Sequence, residues 1–210
     1  MARKIDISIL IMVGVISVFS TCKKRFGCAD DTYSFETNIR AYPDHDSIRV
    51  NDTIWLEYSA PNQLKDIFIN EVIDYSNAEN LGTAIAFDEL VGGSFSDPGS
   101  KNAADSFRIN VMVGKATPNP YSSRIREFLF EAGSSGYKFK VGIIPQAKGI
   151  YCLAPSDATR VYRSSDKCTK AFFRITFSNT NQHLYYYQQS RPGYTPSQYE
   201  MTHMYCFKVY

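Results

Sequence analysis

The stretch YKFKVGIIP, Tyr137–Pro145, decides the fold. Tyr137, Phe139, Val141 and Ile143 fall at every second position, with Lys138 and Lys140 between them. Successive side chains of a strand point to opposite faces, so this period of two describes a strand with one buried face. The same reading extends outward in both directions. KAFFRITFS alternates Ala171, Phe173, Ile175 and Phe177, and SFRINVMVGK alternates Phe107, Ile109, Val111 and Val113. DTIWLEYS sets Ile54, Leu56 and Tyr58 against Trp55, and TYSFETNIRAYP sets Tyr33, Phe35, Ile39 and Ala41 on one side. GTAIAFDELV is a less regular apolar run.

Turn residues punctuate these runs: Asn51-Asp52, Gly92-Gly93, DPGSKN, TPNP, AGSSG and PQAKG. Many short strands with regular turns predict a mainly β chain, built as an antiparallel β-sandwich by analogy with Ig-like modules. The longest irregular stretches are Gly92–Ala104 and Pro155–Lys167. Leu64–Gly82 reads equally as a strand with a turn or as one or two helical turns. No repeat or linker divides the chain, so residues 33–210 are expected to be one domain.

The C-terminal part changes character, and a short helical subdomain is expected over about 181–205. TNQHLYYYQQS suits a helix of two to three turns. TPSQYEMTHMY suits another, with Thr195 as cap, Pro196 at the first helical position and Gln198 three after the cap. YCFKVY then reads as a closing strand. Seven tyrosines crowd the last 26 residues. Tyr185, Tyr186, Tyr187 and Tyr194 are the candidate ligand-facing aromatics, since tyrosine suits recognition surfaces and half-exposed packing equally. Residues 185–187 point about 100° apart on a helix, which favours packing of one or two of them over a flat platform.

At the other end, Arg3 and Lys4 precede ISILIMVGVISVF, Ile7–Phe19, which has neither charge nor proline. A basic start before about 7–15 apolar residues is the layout of an export signal, and the run is short against the roughly 20 residues of a transmembrane helix. The run ends in VFST and Cys22. Here the chain resembles a bacterial lipoprotein precursor, and the junction is similar to the looser lipoboxes of the Bacteroidota. The resemblance covers about the first 25 residues. It implies a signal peptide over 1–21, Cys22 as the lipidated first residue of the mature chain, and a tether over 22–32. It also implies partnership with a membrane through the lipid, with the outer membrane facing the periplasm as the expected site and the cell surface as the alternative. Asp46-Ser47-Ile48 and Asp52-Thr53-Ile54 resemble the short O-glycosylation sites of exported Bacteroidota proteins, which makes Ser47 and Thr53 candidates.

With Cys22 given to lipid, Cys28, Cys152, Cys168 and Cys206 remain. An even number in an exported chain suggests disulfides. Three connectivities exist for four cysteines, and Cys152–Cys168 with Cys28–Cys206 is the expected one. The spacings match no zinc pattern, so no metal is expected. Loss of residues 1–21 removes Arg3, Lys4 and Asp6 from 23 basic and 21 acidic residues, leaving 21 and 20. That near-neutral balance, with no basic stripe, argues against a nucleic-acid partner.

Candidate chemistry is sparse. His45 sits between Asp44 and Asp46 in a turn-like YPDHDSI, and His183 and His203 flank the helical segments. Ser135–Lys138 and Ser164–Lys167 match S-x-x-K, but a strand start and a polar loop are not the helical face that this motif needs. No phosphate loop, dinucleotide fingerprint, nucleophile elbow or zinc-protease motif is present, and no cofactor is expected. The expected role is a lipid-anchored, exported envelope protein with a non-catalytic binding or accessory function. The alternatives are a carbohydrate-binding module and a hydrolase with carboxylates that sequence does not reveal.

Overall fold

The computed structural model of the chain describes residues 32–94, 96–97, 99–179 and 182–210. The strands among them, in chain order, begin with β1 (Thr32–Tyr42), β2 (Ser47–Ile48), β3 (Ile54–Pro61), β4 (Gln63–Lys65), β5 (Val72–Asp74) and β6 (Ala78–Glu79). They continue with β7 (Gly82–Leu90), β8 (Ser100–Asn102), β9 (Phe107–Val113), β10 (Lys115–Pro118), β11 (Ile125–Leu129) and β12 (Glu131–Gly133). The last are β13 (Gly136–Pro145), β14 (Gly149–Pro155), β15 (Ala158–Arg163), β16 (Asp166–Phe177) and β17 (Tyr205–Val209). Two helices, α1 (Tyr185–Ser190) and α2 (Gln198–His203), lie between β16 and β17.

The first sheet runs β12-β13-β3-β1-β16-β15-β6, with β9 also on β13. The second runs β10-β11-β7-β14-β17-β2, with β8 on β7. Their apolar faces share one core in which phenylalanine and tyrosine rings interleave with Ile, Leu, Val and Ala side chains. Edge-on ring pairs cross from sheet to sheet: Phe107 with Tyr151 at 4.9 Å and Phe128 with Phe139 at 5.3 Å. Aromatic pairs in such geometry add about 0.5–1.5 kcal/mol each beyond the area they bury.

The alternation read in Tyr137–Pro145 holds over its first half, where Tyr137, Phe139 and Val141 are buried and Lys138 and Lys140 are not; from Gly142 to Pro145 both faces are buried. This strand is the hub of the first sheet, bonded to β3 along one side and to β9 and β12 along the other. The turn into it needs glycine. Gly136 has φ of +140°, and a Cβ there would lie 2.0 Å from the Ala60 carbonyl oxygen.

The sandwich is not purely antiparallel. Parallel pairing joins β1 to β16, with Thr32 opposite Lys170, and β17 to β2. Parallel neighbours need a long crossover, and here strands of both sheets supply it. SFRINVMVGK keeps only the start of its expected buried face. Phe107 is buried, Ile109 is half-buried and Val111 is exposed, because β9 is an edge strand whose register on β13 slips at Lys140/Val141. Pro155–Lys167 is not an irregular loop; it carries β15 from the second sheet to the first.

Leu64–Gly82 forms no helix. It holds β4, β5, β6 and a tight turn built on Asp66, which is 2% exposed. One carboxylate oxygen accepts the Ser34 N–H at 2.7 Å; the other accepts those of Phe68 at 2.8 Å and Ile69 at 2.9 Å. Burial alone would raise its pKa, but the backbone donors outweigh that and hold it below the usual value. Asp66→Ala orphans these donors and is expected to cost about 3 kcal/mol, which urea unfolding at pH 7 measures. A lowered folded pKa gives stability that is present above the unfolded value of 3.8 and lost as pH falls through the folded one. The gap between wild type and Asp66→Asn should therefore narrow below about pH 4. A gap independent of pH would contradict the assigned charge.

Candidate functional site

A polar cavity of about 440 Å³ opens between α2 and the outward face of the first sheet. Its floor comes from neighbouring parallel strands. Glu36 and Asn38 on β1 stand directly opposite Arg174 and Thr176 on β16. Arg174 Nη1 donates to Glu36 Oε1 at 2.8 Å, and Thr176 Oγ1 donates to Asn38 Oδ1 at 2.7 Å. The strand period puts all four on one face while Phe35, Ile39, Phe173 and Ile175 fill the core behind them.

The wall comes from α2, with Tyr199, Thr202 and His203, and from Asp157 on the β14–β15 connection. His203 is buried, and Tyr199 stacks on it with centroids 3.8 Å apart and planes 14° apart. Their i, i+4 spacing makes them neighbours on one helix face. His203 Nδ1 lies 3.0 Å from the Tyr199 carbonyl oxygen, and Nε2 lies 3.2 Å from Asp157 Oδ1. That same carboxylate oxygen accepts the Ile175 N–H at 2.9 Å. Burial first, and the Asp157 charge second, push the Tyr199 hydroxyl up.

Asp157, His203 and Thr202 thus form a chain that has the connectivity of a hydrolytic triad. Its hydrogen bonds do not suit that task. Thr202 Oγ1 lies 2.9 Å from His203 Nδ1, but the carbonyls of Gln198 and Tyr199, at 3.2 and 3.0 Å, compete for its single proton, whereas a nucleophile must give that proton to the imidazole. His203 faces acceptors at both ring nitrogens and pins α2 to the sheets.

A second network holds α2 from its N-terminus. The cap is Ser197 rather than Thr195, in a reciprocal capping box with Glu200. Glu200 wins because its carboxylate also accepts the hydroxyls of Tyr187 and Tyr194. Burial alone would raise the Glu200 pKa; the hydroxyls of Tyr194, Ser197 and Tyr187 and the Ser197 N–H hold it below the usual value. Arg191 lies 3.5 Å over the Tyr194 ring.

The candidate aromatics therefore point elsewhere than the cavity. Tyr186 and Tyr187 are buried against Leu90 and the Cys152–Cys206 pair, and Tyr194 packs beside them. Tyr185 is partly exposed, with its hydroxyl on Asp46 Oδ2 at 2.8 Å. That bond, then one from Ser47, lowers the Asp46 pKa. The cavity's aromatic is Tyr199, which with Met201 remains largely exposed, while His203 makes the inward contact of α2. Ser47 and Thr53 are both half-exposed. His45 is exposed, and among the described residues no three His, Cys, Asp or Glu side chains come together to hold a metal. Ser135 and Ser164 lie in turns, and Lys167 pairs with Glu79.

The expected disulfide pairing is corrected. Cys152 bonds Cys206, its direct cross-strand partner on β14 and β17. Cys168 belongs to the other sheet, which is why it does not bond Cys152, and it is itself disulfide-bonded. Cys22 and Cys28 lie outside the described residues.

No family model matches the chain, and no curated protein does. Two crystal structures of the human F-spondin reeler domain are similar to it. Fragment 1 has a TM-score of 0.37 and 7% identity, covering 89% of this chain and 100% of that one. Fragment 2 has a TM-score of 0.34 and 8% identity, covering 65% and 84%. At these TM-scores the likeness carries no argument, and the β-sandwich architecture rests on the two sheets themselves.

Proposed function

We propose that this chain is an exported envelope protein, anchored by lipid on Cys22, whose role is to bind rather than to transform. The observation that carries export is the buried Cys152–Cys206 disulfide, since such bonds form and persist in oxidising compartments. The register of β1 on β16 supports Cys28 as the partner of Cys168. Thr32 lies opposite Lys170, so Cys28 begins four residues from the neighbourhood of Cys168. The test of the anchor is palmitate labelling in a bacterial host. Wild type should incorporate label and Cys22→Ser should not. Equal incorporation would sink the lipid anchor.

The cavity favours a glycan as the ligand class. Its volume lies in the range of small-molecule sites. Glu36, Asn38, Arg174 and Thr176 offer donors and acceptors suited to sugar hydroxyls, and Tyr199 offers a ring face at the rim. The same groups weaken the hydrolase reading, because Glu36 is paired with Arg174 and Asp157 is held by Ile175 and His203. Arg174→Ala and Tyr199→Ala should lose at least about tenfold in affinity on a polysaccharide array while unfolding like wild type, as loss of a charged hydrogen bond or a stacked ring does. Unchanged binding in both would move the ligand elsewhere.

A further inference from the structure

The turn after β4 presents an apolar tip. Ile67, Phe68 and Ile69 are 39%, 78% and 53% exposed, and Val72 on β5 is 63% exposed. A contiguous exposed patch of this kind marks an interaction site more often than scattered surface residues do. It is also held rigidly. The Asp66 carboxylate fixes Phe68 and Ile69, and Asp66 N and O bond Glu71 and Asn70. Of the charges next to the tip, the exposed Lys65 and Glu71 offset one another, and the Asp66 carboxylate is buried and taken up by backbone N–H groups.

The position of the tip says what covers it. Its base is laced to the beginning of β1: Asp66 accepts the Ser34 N–H, and the Ile67 N–H reaches the Ser34 carbonyl at 2.9 Å. Ser34 lies only twelve residues beyond Cys22. Ten residues link Cys22 to Thr32 and span at most about 35 Å. Lipid on Cys22 therefore attaches the domain to the bilayer at the end of the sandwich that carries this tip. We propose that Ile67, Phe68, Ile69 and Val72 insert into the bilayer interface and form a second attachment that orients the domain. This rests on the lipid-anchor reading above. Amphipathic elements at such an interface bury their apolar side about 5–10 Å deep.

Tryptophan fluorescence tests it in the full chain. Trp55 is the only native tryptophan and pairs with Tyr42, eight residues along β1 from Ser34 and so about 27 Å away. The double variant Trp55→Phe/Phe68→Trp moves the probe to the tip. In vesicles of phosphatidylethanolamine and phosphatidylglycerol with brominated acyl chains, the tip probe should be quenched by about twofold or more, as a ring at acyl depth is. Trp55 in the wild type should not be. Equal quenching of the two probes overturns the proposal. So does a tip emission that shifts to the blue without lipid as protein concentration rises, since a second copy would then cover the patch. Palmitate labelling separates the two readings. Label without tip quenching overturns the tip and leaves the anchor; quenching without label supports the tip and overturns Cys22 as the lipid site.

Discussion

Alanine at both Cys152 and Cys206 is expected to lower the unfolding free energy by about 4 kcal/mol. The two cysteines are 54 residues apart. Closing a loop of that length removes about 14 cal/mol/K from the unfolded chain, or about 4 kcal/mol at 25 °C. Burial adds to the effect, because the disulfide lies among Leu90, Tyr186 and Tyr187 and its loss leaves a cavity. For a chain of this size the melting temperature should fall by roughly 8–16 °C. Urea midpoints without reductant measure the loss, and wild type in reductant should unfold below the variant, because reduction also opens the bond of Cys168. A variant as stable as oxidised wild type would mean that the bond does not restrain the unfolded chain. Peptide mapping of the unreduced protein supplies the companion result: Cys152 linked to Cys206 and Cys168 linked to Cys28. A Cys152–Cys168 peptide would contradict the sheet assignment.

That cross-strand pair shows where sequence stops being informative. Period-two alternation is local, so Tyr137–Pro145 and Ile54–Tyr58 were legible as strands with a known buried face. Which strands become neighbours is not local. Cys152 and Cys206 are brought opposite by the pairing of β14 with β17, and nothing in their spacing reports it. The same holds for the cavity floor. Glu36, Asn38, Arg174 and Thr176 were each readable as outward positions, but the parallel pairing that joins them links residues 138 apart. Capping chemistry was visible but misassigned. Thr195-Pro196 offers one cap and Ser197 with Glu200 another, and the choice fell to Ser197 because Tyr187 and Tyr194 converge on Glu200 from outside the helix. The Tyr199–His203 spacing was the one local clue to the wall of the site. Asp157, in a segment expected to be irregular loop, had no local signal.

Tyr187→Ala is expected to cost about 3–5 kcal/mol, the range for aromatic-to-alanine changes in a core. The ring is buried against the Cys152–Cys206 pair and lies edge-on to Tyr194 at 6.1 Å. Its hydroxyl donates to Glu200 Oε1 at 2.9 Å. Two substitutions separate ring from hydroxyl. Tyr187→Phe keeps the packing and should cost only about 1 kcal/mol. Tyr185→Ala removes a partly exposed ring and a bond to the exposed Asp46, and should cost less than Tyr187→Ala. Unfolding midpoints of the three variants give this order. The consequence reaches the cavity, because Glu200 caps α2 and α2 carries Tyr199 and His203. Loss of the hydroxyl bond to Glu200 should therefore weaken ligand binding through α2 in both Tyr187→Ala and Tyr187→Phe, although Tyr187 is not part of the cavity. If Tyr185→Ala, Tyr187→Ala and Tyr187→Phe all unfold like wild type while one of them loses binding, these rings contact the ligand directly and the site lies on α1 instead of beneath α2.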